Sequence, residues 1–494
     1  MKKTKLSALL VLLTAVTMMI VASCEKKESK GDYAAAEICN CQANWFPHTT
    51  TPAPLEGKGS PFDTSSTTNC IFHQWSWQKF LWLTRPMASG HAFFQDSLIE
   101  VDSKLSRVLP ALTGGKVLIP LVLEDSAQAG SGGTLHANPG FSKKPYLVYY
   151  SIFTDKTLFN YADSMRKVLQ ADTLQLNNLY TFPIHSLELK ISWVDVNSIP
   201  PDQQASYYAT DAAIKIGKGY KLIRVALLGM HVVGRVINHP EFIWATFEHQ
   251  TMAPLYNWSA TTLQQDAPIT SGSGTLLFAK GTTTGLGGIT WNNNTRRPDS
   301  LYRAYSLYKY GVPRVAYDSF MTGTSQSEPI NYNNIDGLNT CVAAGLANTD
   351  VWRNYFYNGS IWINTDGLTE QQQAKLIDSL NFNIGNVTTG SSARGSLNGA
   401  NLTMETFVQT GAQDSINNIH KINLGDLVNC LSCHTGGTNL TMNKKTFSDK
   451  KSPLYMSHIF KNSLDTKTTI TEAKRQGILH FLKMQERKKG VRRR

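Results

Sequence analysis

The chain is poor in charge and in reactive signatures. Charged residues fill 17% of its 494 positions, below the roughly one quarter usual in globular proteins. It has no P-loop, no nucleophile elbow and no H-E-x-x-H, which removes the simplest nucleotide-hydrolase, serine-hydrolase and zinc-protease readings. Dispersed G-x-G patterns such as Gly272–Gly274 lack the strand–helix context of a dinucleotide site. No internal repeat points to a solenoid or propeller. Cysteines number only seven, but their placement is informative.

Met1–Lys5 carries three lysines, Leu6–Val21 is almost wholly apolar, and Ala22 and Ser23 lead to Cys24. A basic start, a short apolar core and small residues form a secretory signal pattern. The apolar stretch ends too soon for a span of about 20 residues. V-A-S-C resembles the lipobox of bacterial lipoproteins, which implies cleavage before Cys24 and acylation of Cys24. The competing reading is an ordinary signal peptide followed by an incidental cysteine. Residues 1–23 are therefore expected to be a lipoprotein signal and 24–57 a tether, with a polar run at Glu25–Asp32. Removal of residues 1–23 takes away three lysines and no acid, lowering the formal net charge from +12 to +9. An exported chain rarely meets nucleic acid, so this surplus suits anionic lipid or an acidic redox partner. The basic tail Arg487–Arg494 holds much of it and reads equally well as a solvated end.

Gly, Ser, Thr and Asn are plentiful, which suits a loop-rich fold with many strands. Phe72–Leu83 spaces Trp77, Phe80 and Leu81 as an amphipathic helix, stopped by Pro86. Pro145–Phe153 reads as a buried strand and Asp155–Leu169 as a helix. Ser186–Val196 alternates Leu187, Leu189, Ile191 and Trp193 with Ser186, Glu188, Lys190 and Ser192, predicting one buried and one wet face. Lys221–Val236 and Phe242–His249 read as strands around a turn at Ile237–Glu241, Ser259–Arg297 as a long loop or short hairpins, and Thr369–Leu380 as a helix. Thr469 and Glu472 suggest a capping box for a last helix, roughly Ile470–Arg487.

The run from Cys430 through Cys433 to His434 is C-x-x-C-H, the pattern of covalent c-type haem attachment. Two thiols one helical turn apart reach the two vinyl groups on one porphyrin edge. The next residue then offers an imidazole to the iron. Such attachment occurs outside the cytoplasm, so the amino terminus and the motif support each other independently. Zinc binding and thiol–disulfide exchange are the rival readings. No second C-x-x-C or H-x₃-H lies nearby, and no thioredoxin-like βαβ context surrounds the motif. For the sixth iron position the sequence offers Met456 first, then His458 and Met442, or a ligand from the larger domain. A thioether there would raise the potential and favour electron transfer.

Cys39, Cys41, Cys70 and Cys341 can form two disulfides, with three possible connectivities. Cys39 and Cys41 stand too close to pair easily with each other. His231, Glu248 and His249 fall near adjacent strands and could bind metal or substrate. Buried, satisfied polar residues are the plainer explanation.

The segments HQWSWQKFLWL, PYLVYY, SLELKISWVDV, LLGMHVV, HPEFIWATFEH and NLTMETF, followed by NCLSCH, occur in this order. Over roughly residues 70–440 the chain resembles a family of largely uncharacterised bacterial cytochrome c lipoproteins. In these a large extracytoplasmic domain precedes one carboxy-terminal haem motif. The resemblance implies a haem seated on a larger fold and assigns no reaction. The motif's short flanks point the same way.

The expectation is an α+β fold: a strand-rich main domain over 58–410, then a mostly helical haem-binding segment with a basic tail over 411–494. The expected function is a membrane-anchored, mono-haem electron-transfer protein in the bacterial cell envelope, periplasmic or surface-facing. One covalent haem c would be held by Cys430, Cys433 and His434, with an unidentified redox partner protein and no nucleic acid. Alternatives are a haem-dependent oxidoreductase acting on a substrate held by the main domain, and a surface binding lipoprotein whose haem is structural.

Overall fold

A computed structural model describes residues 39–113, 117–119, 121–123, 135–137, 146–170, 179–216, 219–253, 276–278, 291–292, 297–298, 309–311, 328–378, 393–397, 399–405, 430–436, 440–442, 445–447 and 452–464. The signal and lipobox with Cys24, most of the Ser259–Arg297 stretch and the expected last helix lie outside the described residues.

The alternation at Ser186–Val196 forms an inner strand of a ten-stranded sheet. Its strands are β1 (Ile99–Val101), β2 (Val122–Leu123), β3 (His136–Ala137), β4 (Tyr146–Thr154), β5 (Leu187–Asp195), β6 (Ala209–Ile216), β7 (Gly219–Val236), β8 (His239–His249), β9 (Tyr355–Ile363) and β10 (Ala393–Gly395). The main order is β1-β4-β5-β7-β8-β9-β10, with β3 beside β4, β6 beside β7 and β2 beside β6. All pairings are antiparallel except β2 with β6. With the helices around it, this is the strand-rich α+β architecture expected.

Among the described residues three register shifts shape the sheet. One lies between Ser192 and Trp193 of β5, one between Thr246 and Phe247 of β8 where it meets β9, and one between His239 and Ile243 of β8 where it meets β7. Asn358-Gly359 would read as a turn signal, yet it lies inside β9. Gly359 takes a φ of +115°, and a Cβ there would fall 1.8 Å from Ser396 Oγ. Glycine is therefore required at this bulge.

One sheet face carries an aromatic core. Helix α1 (Asn69–Thr84) lies on it, α2 (Phe93–Ser97) follows, α3 (Lys156–Gln170) connects β4 to β5, and α4 (Glu328–Gly345) packs beside α1. Phe80 stacks on Phe247 at 4.0 Å and Phe72 on Trp362 at 4.1 Å. The helix expected to be amphipathic is in fact buried on nearly every side, because α4 and the segment around Glu56 cover what the sheet does not. Its polar residues are paired accordingly. Lys79 Nζ meets Glu56 Oε1 at 2.7 Å, and Trp75 Nε1 donates to the same carboxylate at 2.8 Å. His73 sits between Tyr357 Oη at 2.7 Å and Asn331 Oδ1 at 2.8 Å. Such partners offset the cost of burying polar groups.

Two disulfides fasten the same side. Cys39 is bonded to Cys70, in the first turn of α1, and Cys41 to Cys341 in α4. This decides among the connectivities left open by the sequence.

The opposite sheet face is divided. At one end Val233, Phe242, Trp244 and Ile361 form a cluster with α3 and with residues 431 and 454–464. At the other, Val148, Val194, Ala226 and Leu228 form a cluster with Leu402 and Met404. Between them stand the polar residues Lys190, Ser192, His231, Thr246 and Glu248. Glu188 and Lys190, expected on a wet face, are half-buried. The 401–405 loop and the carboxy-terminal segment lie over this face. The remaining α-helices among the described residues are α5 (Glu370–Asp378), α6 (Cys430–Cys433) and α7 (His458–Leu464).

Candidate functional site

The CLSCH run folds as its spacing requires. α6 is a single turn, so positions 430 and 433 share a helix side, and His434 N–H closes it by donating to the Cys430 carbonyl at 2.8 Å. Leu431 anchors the turn in the apolar cluster around Trp244. Ser452 N–H donates to the Gly436 carbonyl at 2.8 Å and ties the turn to the 3₁₀ segment Pro453–Met456.

The imidazole of His434 is held on several sides. Its Nδ1 donates to the Met456 carbonyl at 2.7 Å. Its ring stacks on His458 with centres 3.7 Å apart and lies against Trp244 at 4.1 Å. Trp244 is itself fixed by an Nε1 hydrogen bond to the Glu241 carbonyl at 2.8 Å. Burial lowers the proton affinity of His434 to about 3, against a smaller opposing effect of the Met456 hydrogen bond. A neutral imidazole with one nitrogen engaged by a carbonyl keeps the other available, which is the state metal ligation needs. Next to Met456, Ser457 Oγ donates to Glu188 Oε2 at 2.8 Å, and burial raises the Glu188 carboxyl to about 7.

A second polar arrangement adjoins this one. His231 Nε2 meets both oxygens of Glu405, at 3.0 and 3.1 Å. Burial would raise the proton affinity of Glu405, but the charge of His231 and its hydrogen bond prevail and hold the carboxyl at about 2. The loop 401–405 that supplies Glu405 is pinned to the sheet. Asn401 donates through Nδ2 to Thr246 Oγ1 at 3.0 Å and to the Phe247 carbonyl at 3.1 Å, and its N–H donates to Glu405 at 2.9 Å. Leu402 N–H donates to Glu248 Oε1 at 2.8 Å. Gly229 leaves the room: a Cβ there would stand 2.6 Å from the Asn401 amide. Burial raises Glu248 to about 8, so it is chiefly a neutral acid at pH 7.

The residues singled out from the sequence thus part company. His231 and Glu248 share one sheet face, but each faces a different part of the 401–405 loop. His249 is a satisfied core histidine: it stacks on Tyr207 at 3.5 Å, and its Nε2 donates to the Ser206 carbonyl at 3.0 Å. Among the described residues no group of three or more His, Cys, Asp or Glu could hold a metal ion. Met456 is buried, with its main chain behind the His434 ring on the Nδ1 side. His458 lies face to face with that ring, too close for an iron to stand between them. The sequence reading missed Glu405, Asn401, Glu188 and Trp244 as neighbours of the motif. The signal was there in part: NLTMETF puts three hydrogen-bonding residues and an acid in a short segment upstream of the motif.

Compared with models of known protein families, with curated proteins and with solved structures, the chain matches none. Any functional reading therefore rests on the geometry just described and on the motif itself.

Proposed function

We propose that this chain is a mono-haem c-type protein, lipid-anchored through Cys24 in the bacterial cell envelope, that transfers electrons to or from a partner protein. The observation that carries the reading is the setting of His434. A C-x-x-C-H turn is seated on a rigid sheet, with the imidazole neutral, its Nδ1 engaged by a main-chain carbonyl and its Nε2 left for iron. Cys430 and Cys433 would form the thioethers. A bound haem supplies a one-electron couple. The protein's own part is to hold the ring: the Met456 carbonyl fixes its tautomer, while Trp244 and His458 fix its plane. The carboxy-terminal segment, described here as α6, a short hairpin of Leu440–Met442 with Lys445–Phe447, and α7, is read as the haem-bearing element. In this reading the Met456 carbonyl supports the His434 ring.

Two disulfides among the described residues favour an oxidising compartment, which is where covalent haem attachment takes place. The test is a pyridine haemochrome spectrum of protein expressed with periplasmic haem-attachment machinery, beside Cys430→Ala/Cys433→Ala. A c-type spectrum in the wild type that vanishes in the double variant is expected. A wild type without covalent haem overturns the reading.

A second reading, a haem-dependent oxidoreductase, is favoured by the His231–Glu405 pair beside the turn. Neither covalent attachment nor support of the His434 ring calls for that pair.

A further inference from the structure

The His231–Glu405 pair has a defined place and polarity. Across the sheet Thr246, His231 and Lys190 stand opposite one another. One pleat row along, Trp244, Val233 and Glu188 do the same. His434 rests on Trp244. Rows on one face of a strand are about 6.7 Å apart, so His231 stands one row from the tryptophan that carries the motif histidine. His231, Glu405 and Lys190 all act electrostatically on His434.

A carboxylate held in its ionised form only accepts hydrogen bonds, so the His231 nitrogen it contacts carries the proton. In the neutral form of the ring the lone pair is then on Nδ1, which no described group engages. Both side chains of the pair are partly open to solvent, His231 at 14% and Glu405 at 27%. The result is a tautomer-fixed base, backed by an acid, at an accessible spot beside the haem-attachment turn. The same orienting arrangement prepares histidine for proton transfer in general acid–base sites.

We infer that this sheet face, on the reading of a covalent haem at Cys430 and Cys433, binds small weak acids HX of one to three heavy atoms. The anion ligates the iron held by His434, and the proton passes to His231. The H–X bond breaks, and its electron pair stays on X and forms the bond to iron. The proton adds to the His231 Nδ1 lone pair, and the Glu405 carboxylate compensates the imidazolium charge. Nothing is oxidised or reduced.

Cyanide, entering as hydrogen cyanide, and carbon monoxide are the probes, because only the first must lose a proton. Haem content is measured first by pyridine haemochrome on each protein, so failure of the haem reading is recognised independently of the ligand result. Stopped-flow association of cyanide with the ferric wild type is expected to be fast. His231→Leu should slow it on the order of 10²-fold, the usual weight of one general base. Glu405→Gln should give a smaller slowing in the same direction. Carbon monoxide association with the ferrous protein should change less than about twofold, since no proton moves. If His231→Leu does not fold, His231→Gln, similar in reach and not basic, replaces it. A haem-loaded wild type that binds no cyanide overturns the inference, because a protein group then fills the sixth position. So does a haem-loaded His231 variant that takes up cyanide at the wild-type rate.

Discussion

Toward α1, the strands β5, β7, β8 and β9 present Leu189, Ile191, Leu227, Met230, Phe247 and Tyr357. Toward the 401–405 loop and the CLSCH turn, the same strands present Lys190, Ser192, His231, Thr246 and Glu248. The first face is held by area removed from water, which is non-directional and tolerant of exchange among apolar groups of similar volume. The second is held by aimed hydrogen bonds, each needing its partner at a set distance. A substitution on the first face is therefore expected to act on stability. One on the second is expected to act on the position of His231, Glu405 or His434 before it unfolds anything.

Four substitutions test that division, in order of expected effect. Trp77→Ala removes a fully buried indole that packs on Phe247 at 5.1 Å and donates to Asn339. It should cost about 3–5 kcal/mol in urea unfolding; a loss below about 1 kcal/mol would mean that the aromatic face is not the main source of stability. Gly229→Ala pushes a methyl group against the Asn401 amide on the other face. A cost of about 1–3 kcal/mol is expected, together with a changed His231 ring ¹⁵N shift as the loop carrying Glu405 moves. An unchanged shift would separate the loop from the dyad.

Glu248→Gln is a test by pH. The folded carboxyl holds its proton to about 8, against 4.5 for the free group. Between those values the unfolded chain has released a proton that the folded chain keeps. The stabilising contribution is thus complete below about pH 4.5 and is lost as pH rises toward 8. Urea midpoints at pH 5 and pH 8 should fall more steeply for the wild type than for the variant. Equal slopes would place an ionised carboxylate in the fold. Last, Arg224→Ala removes an exposed pair with Asp211 and should change stability by no more than about 0.5 kcal/mol.

The sheet was legible where the chain alternates or runs apolar. Ser186–Val196, Pro145–Phe153 and the helix after it appear within a residue or two as β5, β4 and α3. The helix over Thr369–Leu380 appears as α5, Glu370–Asp378. Elements whose core contacts are made by polar residues were not legible. α4 is rich in asparagine, and Asn331 and Asn339 bond to His73 and Trp77 rather than to water. β9 carries Asn-Gly at a bulge, which local chemistry alone reads as a turn. On the site, period two placed Glu188 and Lys190 on a common face but could not say what covers it. That cover comes from residues 401–405, 430–436 and 452–464, remote in sequence, and only the folded chain brings Glu405 to His231.

On the proposed anchoring at Cys24, the paired disulfides bear on how the chain would carry load. Cys39 and Cys41 stand two residues apart and are shackled to different helices, α1 and α4. A pull arriving from the amino-terminal side meets these two covalent links before any strand. It is shared between two helices on the aromatic face. The links to α1 and α4 would be loaded before the sheet's hydrogen-bonded ladders. Shear in the surroundings is then borne on one side of the molecule, while His231, Glu405 and His434 keep their spacing on the other.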